Sequence, residues 1–349
     1  MFTSLATLVG AFTLSLLLTG VVRRVALARA VVDVPEAPRK LHSASTPLLG
    51  GLAIYLAFTA VVWVLALVPH ALLGKDVSLG AVLALTLAGA SLMLGGYLDD
   101  RYRLTPRRQL VTPTVAILLT LAAGIHVQVL SNPFGGGLIQ LSAAVAEVLT
   151  VLWLLGMMYT TKLLDGLDGL ATGIGAIGSL IIFGLTQFTP FYQPSVGLLS
   201  LALAGAALGF LVWNWYPAKI FLGEGGSLYL GFMLGVLSII SGAKIATALL
   251  VMGIPILDVA WVIVRRIFWD NKSLASADRK HLHYRLLDVG LTQRQAVVLL
   301  YGITAGFGIT SLFLGTKGKV LALITAALVM FVLGVALVVL YKKKRAPHS

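Results

Sequence analysis

The feature that most constrains this chain is a series of apolar runs, each about twenty residues long and parted from the next by a short polar break. A helix needs about 20 apolar residues to cross a hydrocarbon core of ~30 Å. Of the 349 residues, 58% are hydrophobic and 11% charged, against about 25% charged in an average soluble domain. A water-facing fold would have nowhere to put that surface. Helices are the expected form, because inside lipid each segment must satisfy its own backbone polar groups. A β-barrel would show alternating polarity in segments of about ten residues, and these runs do not alternate. They predict an all-α integral membrane protein of one polytopic domain. Its eleven spans fall near residues 2–22, 48–68, 78–98, 109–126, 143–163, 169–188, 195–214, 226–242, 245–268, 294–315 and 319–341.

Arg23 and Arg24 follow the first run and do not precede it, so it is expected to be a retained span and not a cleaved leader. Lys and Arg collect on cytoplasmic loops. With the N-terminus outside and the C-terminus in the cytoplasm, 22 of the 26 basic residues fall on the inner side, leaving Lys75, Lys244, Lys317 and Lys319 outside. The net charge of +13 is thus mostly a matter of topology. It calls for no nucleic-acid partner, and it adds attraction to anionic membrane lipids and to phosphorylated substrates. The absence of cysteine excludes disulfides and thiolate metal sites. On the outer side, Val127 to Leu130 and Leu138 to Leu141 flank the turn-rich Asn132-Pro133-Phe134-Gly135-Gly136-Gly137, which predicts a small β-hairpin.

Of the 13 acidic residues only Asp76 and Glu147 lie on the outer side. Carboxylates so close to hydrocarbon are costly unless paired, and they are candidate functional groups. Asp99-Asp100 ends the third run. Asp165-Gly166-Leu167-Asp168-Gly169-Leu170 joins the fifth and sixth, and its spacing of three sets both carboxylates on one face of a helical segment. Such a pair suits a divalent cation bound through oxygen. Asn214 to Ser227 carries Glu224 in a glycine-rich turn just before a helix, where backbone amides can meet a phosphate and Glu224 a metal. Asp278-Arg279-Lys280-His281-Leu282-His283-Tyr284-Arg285 sets two histidines among basic groups, suited to phosphate contact, proton handling or metal ligation. The first inner loop holds Arg39, Lys40 and His42, a basic stretch fit to face phosphate. Gly173-Ile174-Gly175-Ala176-Ile177-Gly178 has the spacing of a dinucleotide motif but lies within an apolar helix and follows no strand, so helix packing explains it better. This inventory points to phosphoryl transfer on a diphosphate, with a lipid phosphate as one substrate.

In order along the chain, these motifs resemble those of the polyprenyl-phosphate N-acetylhexosamine-1-phosphate transferases of the glycosyltransferase 4 superfamily, closest to the undecaprenyl-phosphate GlcNAc-1-phosphate transferases. The resemblance covers nearly the whole chain. It rests on Arg39-Lys40-Leu41-His42 with Thr46-Pro47 and Gly50-Gly51, on Asp99-Asp100, on Asp165 to Leu170, on Asn214 to Ser227 and on His281-Leu282-His283. It implies that undecaprenyl phosphate attacks the β-phosphorus of a UDP-sugar and releases UMP, with Mg²⁺ or Mn²⁺ as cofactor, at the cytoplasmic face of a bacterial inner membrane. Asp99 and Asp100 would orient or deprotonate the lipid phosphate and, with Asp168 and Glu224, hold the metal. Asp165 and Asp168 would line the nucleotide region, Phe221 would stack on uracil, and Asn214 would lie nearby. His281 and His283, with the adjacent Arg279, would contact the diphosphate or sugar, and Arg107 the lipid phosphate. Family members often pair as homodimers, although the small residues here serve equally to pack helices within one protomer.

Four positions depart from the family pattern. Glu224 stands where Asp is usual, Lys162 where Asn is usual, Tyr284 where a further His is common, and Leu48-Leu49 lacks an Arg often found there. Lys162 puts a cation beside Asp165, to pair with it or to bind a phosphate. Two other functions compete with GlcNAc-1-phosphate transfer. One is transfer of phospho-MurNAc-pentapeptide, whose enzymes typically carry three successive histidines where only His281 and His283 stand here. The other is a non-catalytic lipid-phosphate-binding membrane protein.

Overall fold

The computed structural model describes residues 2–33, 45–132, 135, 137–188, 192–242, 245–270 and 281–345. In chain order these form α1 (Phe2–Ala28), β1 (Val32–Asp33), β2 (Thr46–Pro47), α2 (Gly50–Leu67), α3 (Leu79–Tyr102), α4 (Pro106–Gln109), α5 (Val111–Ala122), β3 (Val129–Ser131), β4 (Leu138–Gln140) and α6 (Ala143–Leu164). They continue with α7 (Leu170–Phe188), α8 (Pro194–Asn214), α9 (Gly223–Ile240), α10 (Ile245–Val251), α11 (Gly253–Arg265), α12 (Leu282–Asp288), α13 (Gln293–Phe313) and α14 (Thr316–Arg345). A π-helical turn over Arg266–Asp270 extends α11.

Among the described residues, nine helices are long and apolar enough to cross a membrane. The stretch expected to be one helix over 245–268 is instead α10 and α11, bent by 77° at a break. Gly253 and Pro255 sit at that break, where a proline near a helix start costs no internal hydrogen bond. The expected span at 109–126 is the short α5, 12 residues long, entered through the single turn of α4. The eleven runs are therefore all present, ten of them as spans when the bent pair counts as one. The hairpin forms as expected, Val129 facing Gln140, Leu130 facing Ile139 and Ser131 facing Leu138.

α7, α8 and α9 are the interior of the bundle, buried over most of their surface, whereas α14 is almost bare over Thr316–Ala336. α1 and α2 pack on α8, α3 and α6 on α9, and α13 on α7. At one end of the bundle the small residues of α9 bring it against two neighbours at backbone distance. A Cβ on Gly51 of α2 would lie 2.1 Å from the Gly226 Cα, and one on Gly96 of α3 2.1 Å from the Gly225 nitrogen. This crossing sets the first turn of α9 beside the last turn of α3, and so Glu224 beside Asp100.

Candidate active site

Helix ends and loops from across the sequence enclose a cavity of about 680 Å³ at this end of the bundle. Asp99, Asp100, Lys162, Asp165, Asp168, Asn214, Phe221 and Glu224 all line it. Leu104, Gln109, Lys162 and Glu224 of this cavity also line a neighbouring crevice, of about 240 Å³, with Asp99. Asp100 lines a second crevice of about 230 Å³, formed with Leu49, Leu52, Met93, Leu94 and Tyr97.

The two aspartates that end α3 are held by different means. Asp99 is buried, and its Oδ1 accepts from the Leu104 amide at 2.9 Å and from Gln109 Nε2 at 3.1 Å. The chain turns at Arg103, whose left-handed φ of 51° closes the helix as its amide donates to the Asp99 carbonyl. The Asp100 carboxylate accepts from the Glu224 amide, at 3.3 Å to Oδ1 and 3.4 Å to Oδ2. That amide belongs to the first turn of α9, where unpaired N–H groups favour negative charge.

Lys162, at the end of α6, reaches across to these groups. Its Nζ lies 2.8 Å from Glu224 Oε2 and 3.7 Å from Asp99 Oδ2, and it donates to Gln109 Oε1 at 3.2 Å. The sequence expectation that it pairs with Asp165 is thus replaced by pairing with Glu224 and Asp99. The reason is geometric: Lys162 is on the last turn of α6 while Asp165 already caps it, so the lysine stem runs toward α3 and α9.

Asp168 Oδ2 accepts from the Ala218 amide at 2.9 Å, tying the loop after α6 to the loop before α9. No hydrogen bond to the Asp165 carboxylate is seen among the described residues. Desolvation, followed by the charges of Glu224 and Asp168, pushes that carboxyl up to about 8. Repulsion of this kind among oxygen donors is what a hard cation would relieve. No group of three or more acidic or histidine side chains close enough to hold a metal by themselves occurs among the described residues. The donor set therefore fits a cation that takes one or two carboxylates and completes its shell with water and phosphate oxygens, as magnesium commonly does.

The loop from Trp215 to Leu222 is braced on all sides. The buried Asn214 donates to the Ile220 carbonyl at 3.0 Å and accepts from Thr172 Oγ1 at 2.9 Å. The Phe221 amide donates to the Pro47 carbonyl, while Gly50 and Gly51 donate to the Phe221 and Leu222 carbonyls. Arg23 holds the Lys219 carbonyl at 3.1 Å, and Arg294 Nη2 holds that of Tyr216 at 3.0 Å. Phe221 is left on the cavity wall by this framework. Asn214 has both ends of its amide engaged inside the protein.

His281 and His283 lie behind the cavity, and neither lines it. His281 Nδ1 is 2.8 Å from Asp258 Oδ2 on α11, and the Leu282 amide donates to Asp258 Oδ1 at 2.9 Å. His283 stacks on His281 with ring centroids 5.7 Å apart. A Cβ on Gly166 would lie 2.3 Å from His283 Nε2 and 2.8 Å from the Tyr284 hydroxyl, so the glycine lets α12 press on the aspartate loop. Burial brings the His283 pKa down to about 4. Arg107 is exposed on α4 and does not reach the cavity, while its neighbour Arg108 lines the crevice beside Asp99. Arg39, Lys40, His42 and Arg279 lie outside the described residues.

Sequence reasoning missed Gln109, Asp258 and Tyr301. Gln109 follows the basic pair Arg107-Arg108 and carries no charge to mark it. Tyr301 sits within an apolar helix, yet its hydroxyl donates to the Gly169 carbonyl beside Asp168. Asp258 is an acidic residue in the middle of an apolar run and away from the motifs, and that position is a usable signal.

The chain is similar to known proteins over most of its length. Residues 82–242 match the model for glycosyl transferase family 4. A Bacillus subtilis (strain 168) protein named "Probable undecaprenyl-phosphate N-acetylglucosaminyl 1-phosphate transferase" is 32% identical over 319 residues, which cover 88% of this chain and 85% of that protein. The "Decaprenyl-phosphate N-acetylglucosaminephosphotransferase" of Mycolicibacterium smegmatis is 35% identical over 341 residues, 89% of this chain and 82% of the relative. The "Undecaprenyl-phosphate alpha-N-acetylglucosaminyl 1-phosphate transferase" of Thermotoga maritima is 31% identical over 273 residues, 78% of each.

Proposed function

Because the chain belongs to glycosyl transferase family 4, we propose that it transfers N-acetylglucosamine 1-phosphate from UDP-GlcNAc to undecaprenyl phosphate, releasing UMP at the cytoplasmic face of a bacterial inner membrane. The observation that carries this reading is the position of the aspartate doublet. Asp99 and Asp100 each border both the polar cavity and a mostly apolar crevice, which suits an acceptor with a phosphate head and a hydrocarbon tail. The names of the relatives support the same substrates, and the positive-inside bias supports the orientation.

In this reading a phosphate oxygen of the lipid forms a bond to the sugar-bearing phosphorus. The bond from that phosphorus to the bridging oxygen breaks, and the electron pair leaves with UMP. Asp100, fixed by the Glu224 amide, orients the lipid phosphate, and Asp99 sits beside it. Asp168, fixed by the Ala218 amide, and Asp165 face the nucleotide, while Phe221 offers its ring to uracil. One or two of the carboxylates of Asp99, Asp100, Asp168 and Glu224 would hold Mg²⁺, or Mn²⁺ in its place, which would neutralise charge on the diphosphate. Asn214 keeps the loop that carries Phe221 in place, and His281 keeps α12 against α11 through Asp258.

The test is to give the purified protein undecaprenyl phosphate and a panel of UDP-sugars while following UMP. UMP released from UDP-GlcNAc, and only when lipid and Mg²⁺ are both present, is the expected result. Release from UDP-MurNAc-pentapeptide alone would move the chain to the competing transferase activity, and no release from any donor would overturn the reading.

A further inference from the structure

Lys162 is a cation set into a wall of carboxylates. It touches Glu224 at 2.8 Å, stands 3.7 Å from Asp99, and rests on Gln109 Oε1 at 3.2 Å. Gln109 in turn donates to Asp99, so the ammonium has a polar seat that does not depend on Glu224. Asp100, Asp165 and Asp168 complete the acidic lining of the same cavity. A divalent cation that uses Glu224 competes with Lys162 for the charge of that carboxylate. A diphosphate entering the cavity offers the ammonium new anionic oxygens, and the flexible lysine stem lets it follow them.

We infer that Lys162 is a resident counter-cation that holds Glu224 until a nucleoside diphosphate enters and then pairs with the diphosphate, so that divalent cation and nucleotide bind with positive coupling. The inference rests on the UDP-sugar reading above. Coupling of this kind is reciprocal: whatever factor the nucleotide adds to cation affinity, the cation adds to nucleotide affinity. Phosphate oxygens that ligate the cation directly also couple the two, but with a purely structural Lys162, tying α6 to α9, that coupling would not change when the lysine is removed.

The experiment is a calorimetric titration of the full-length protein in detergent with Mn²⁺, alone and at saturating UDP-GlcNAc, with no lipid acceptor present so that no turnover occurs. In the wild type the nucleotide should tighten Mn²⁺ by about tenfold, within the usual range of coupling between sites. K162M should bind Mn²⁺ about tenfold more tightly than wild type without nucleotide, and the further tightening with nucleotide should be smaller than in wild type. K162R, which keeps the charge, should behave as wild type. K162Q is judged by the same criteria should K162M not remain monodisperse. The inference is overturned if the neutral variants bind Mn²⁺ alone no more tightly than wild type, or if they keep the full nucleotide effect. If the wild type binds no UDP-GlcNAc while the neutral variants still gain in Mn²⁺ affinity, the donor reading falls and the hold of Lys162 on Glu224 stands.

Discussion

Asp100 and Asp168 share one device, a carboxylate fixed by a backbone amide distant in sequence, that of Glu224 for the first and of Ala218 for the second. Replacing either with Asn keeps the shape and an acceptor oxygen but removes the charge that must meet a cation or orient a phosphate. D100N and D168N should each lower UMP release by roughly a hundredfold or more, the scale of a positioned charged group in catalysis, with expression and melting temperature close to wild type. Full activity in either would remove that residue from the mechanism. His283 makes a different prediction. Its native pKa of about 4 lies below the ordinary 6.5, so between those values the unfolded chain binds the extra proton. Stability is therefore complete above about pH 6.5 and is lost as pH falls toward 4, by up to about 3 kcal/mol. A melting series from pH 7 to pH 4.5 should show a steeper decline in wild type than in H283F, and parallel curves would refute the assignment. At this scale the sequence showed which residue types carry chemistry, since Asp165 to Leu170 and Asn214 to Ser227 stand out in apolar surroundings. It could not show that His281 faces Asp258, because that contact spans 23 positions and depends on the bend between α10 and α11.

Among the elements, α9 does most to assemble the site, because its first turn supplies Glu224 and the amide that holds Asp100. It reaches α2 and α3 only because Gly225 and Gly226 meet Gly96 and Gly51 at backbone distance. An added methyl group there meets main chain, which cannot swing aside as a side chain would. G96A should destabilise by about 1–3 kcal/mol, the usual cost of overpacking, and should also weaken transfer by moving Asp100 away from the Glu224 amide. Gly302 of α13 is the control, with nothing within 4 Å of an added Cβ. G302A should be neutral or stabilising by up to about 1 kcal/mol, as helical glycine to alanine usually is. Equal thermal shifts in the two variants would show that the α3–α9 crossing is not tight. The spans themselves were legible from apolar length alone. The shortness of α5 was not, because the apolar residues after Ala122 continue beyond the last helical turn, into extended chain that leads to β3. The bend before α11 had a signal in Gly253 and Pro255, but apolar length does not distinguish a straight span from a broken one.

The whole molecule has its polar cavity at one end and its β-hairpin on a connection between α5 and α6. Successive spans reverse direction, so the segments that line the cavity, from the α1–α2 connection through the end of α3 to the start of α9, belong to one side of the membrane. The connection carrying the hairpin belongs to the other. The proposed function puts the cavity side in the cytoplasm, a reading that the distribution of Lys and Arg supports. The natural absence of cysteine makes this directly measurable, because any labelled thiol must be an introduced one. Ser131 on the hairpin and Thr105 beside the cavity are both exposed. In intact cells a membrane-impermeant maleimide should label S131C and leave T105C unmodified. After the membrane is permeabilised, both should react. Labelling of T105C in intact cells, with S131C protected until permeabilisation, would invert the topology. It would also put the aspartate doublet on the side of the membrane away from cytoplasmic nucleotide pools, and UDP-sugar transfer by this site would fail on supply alone.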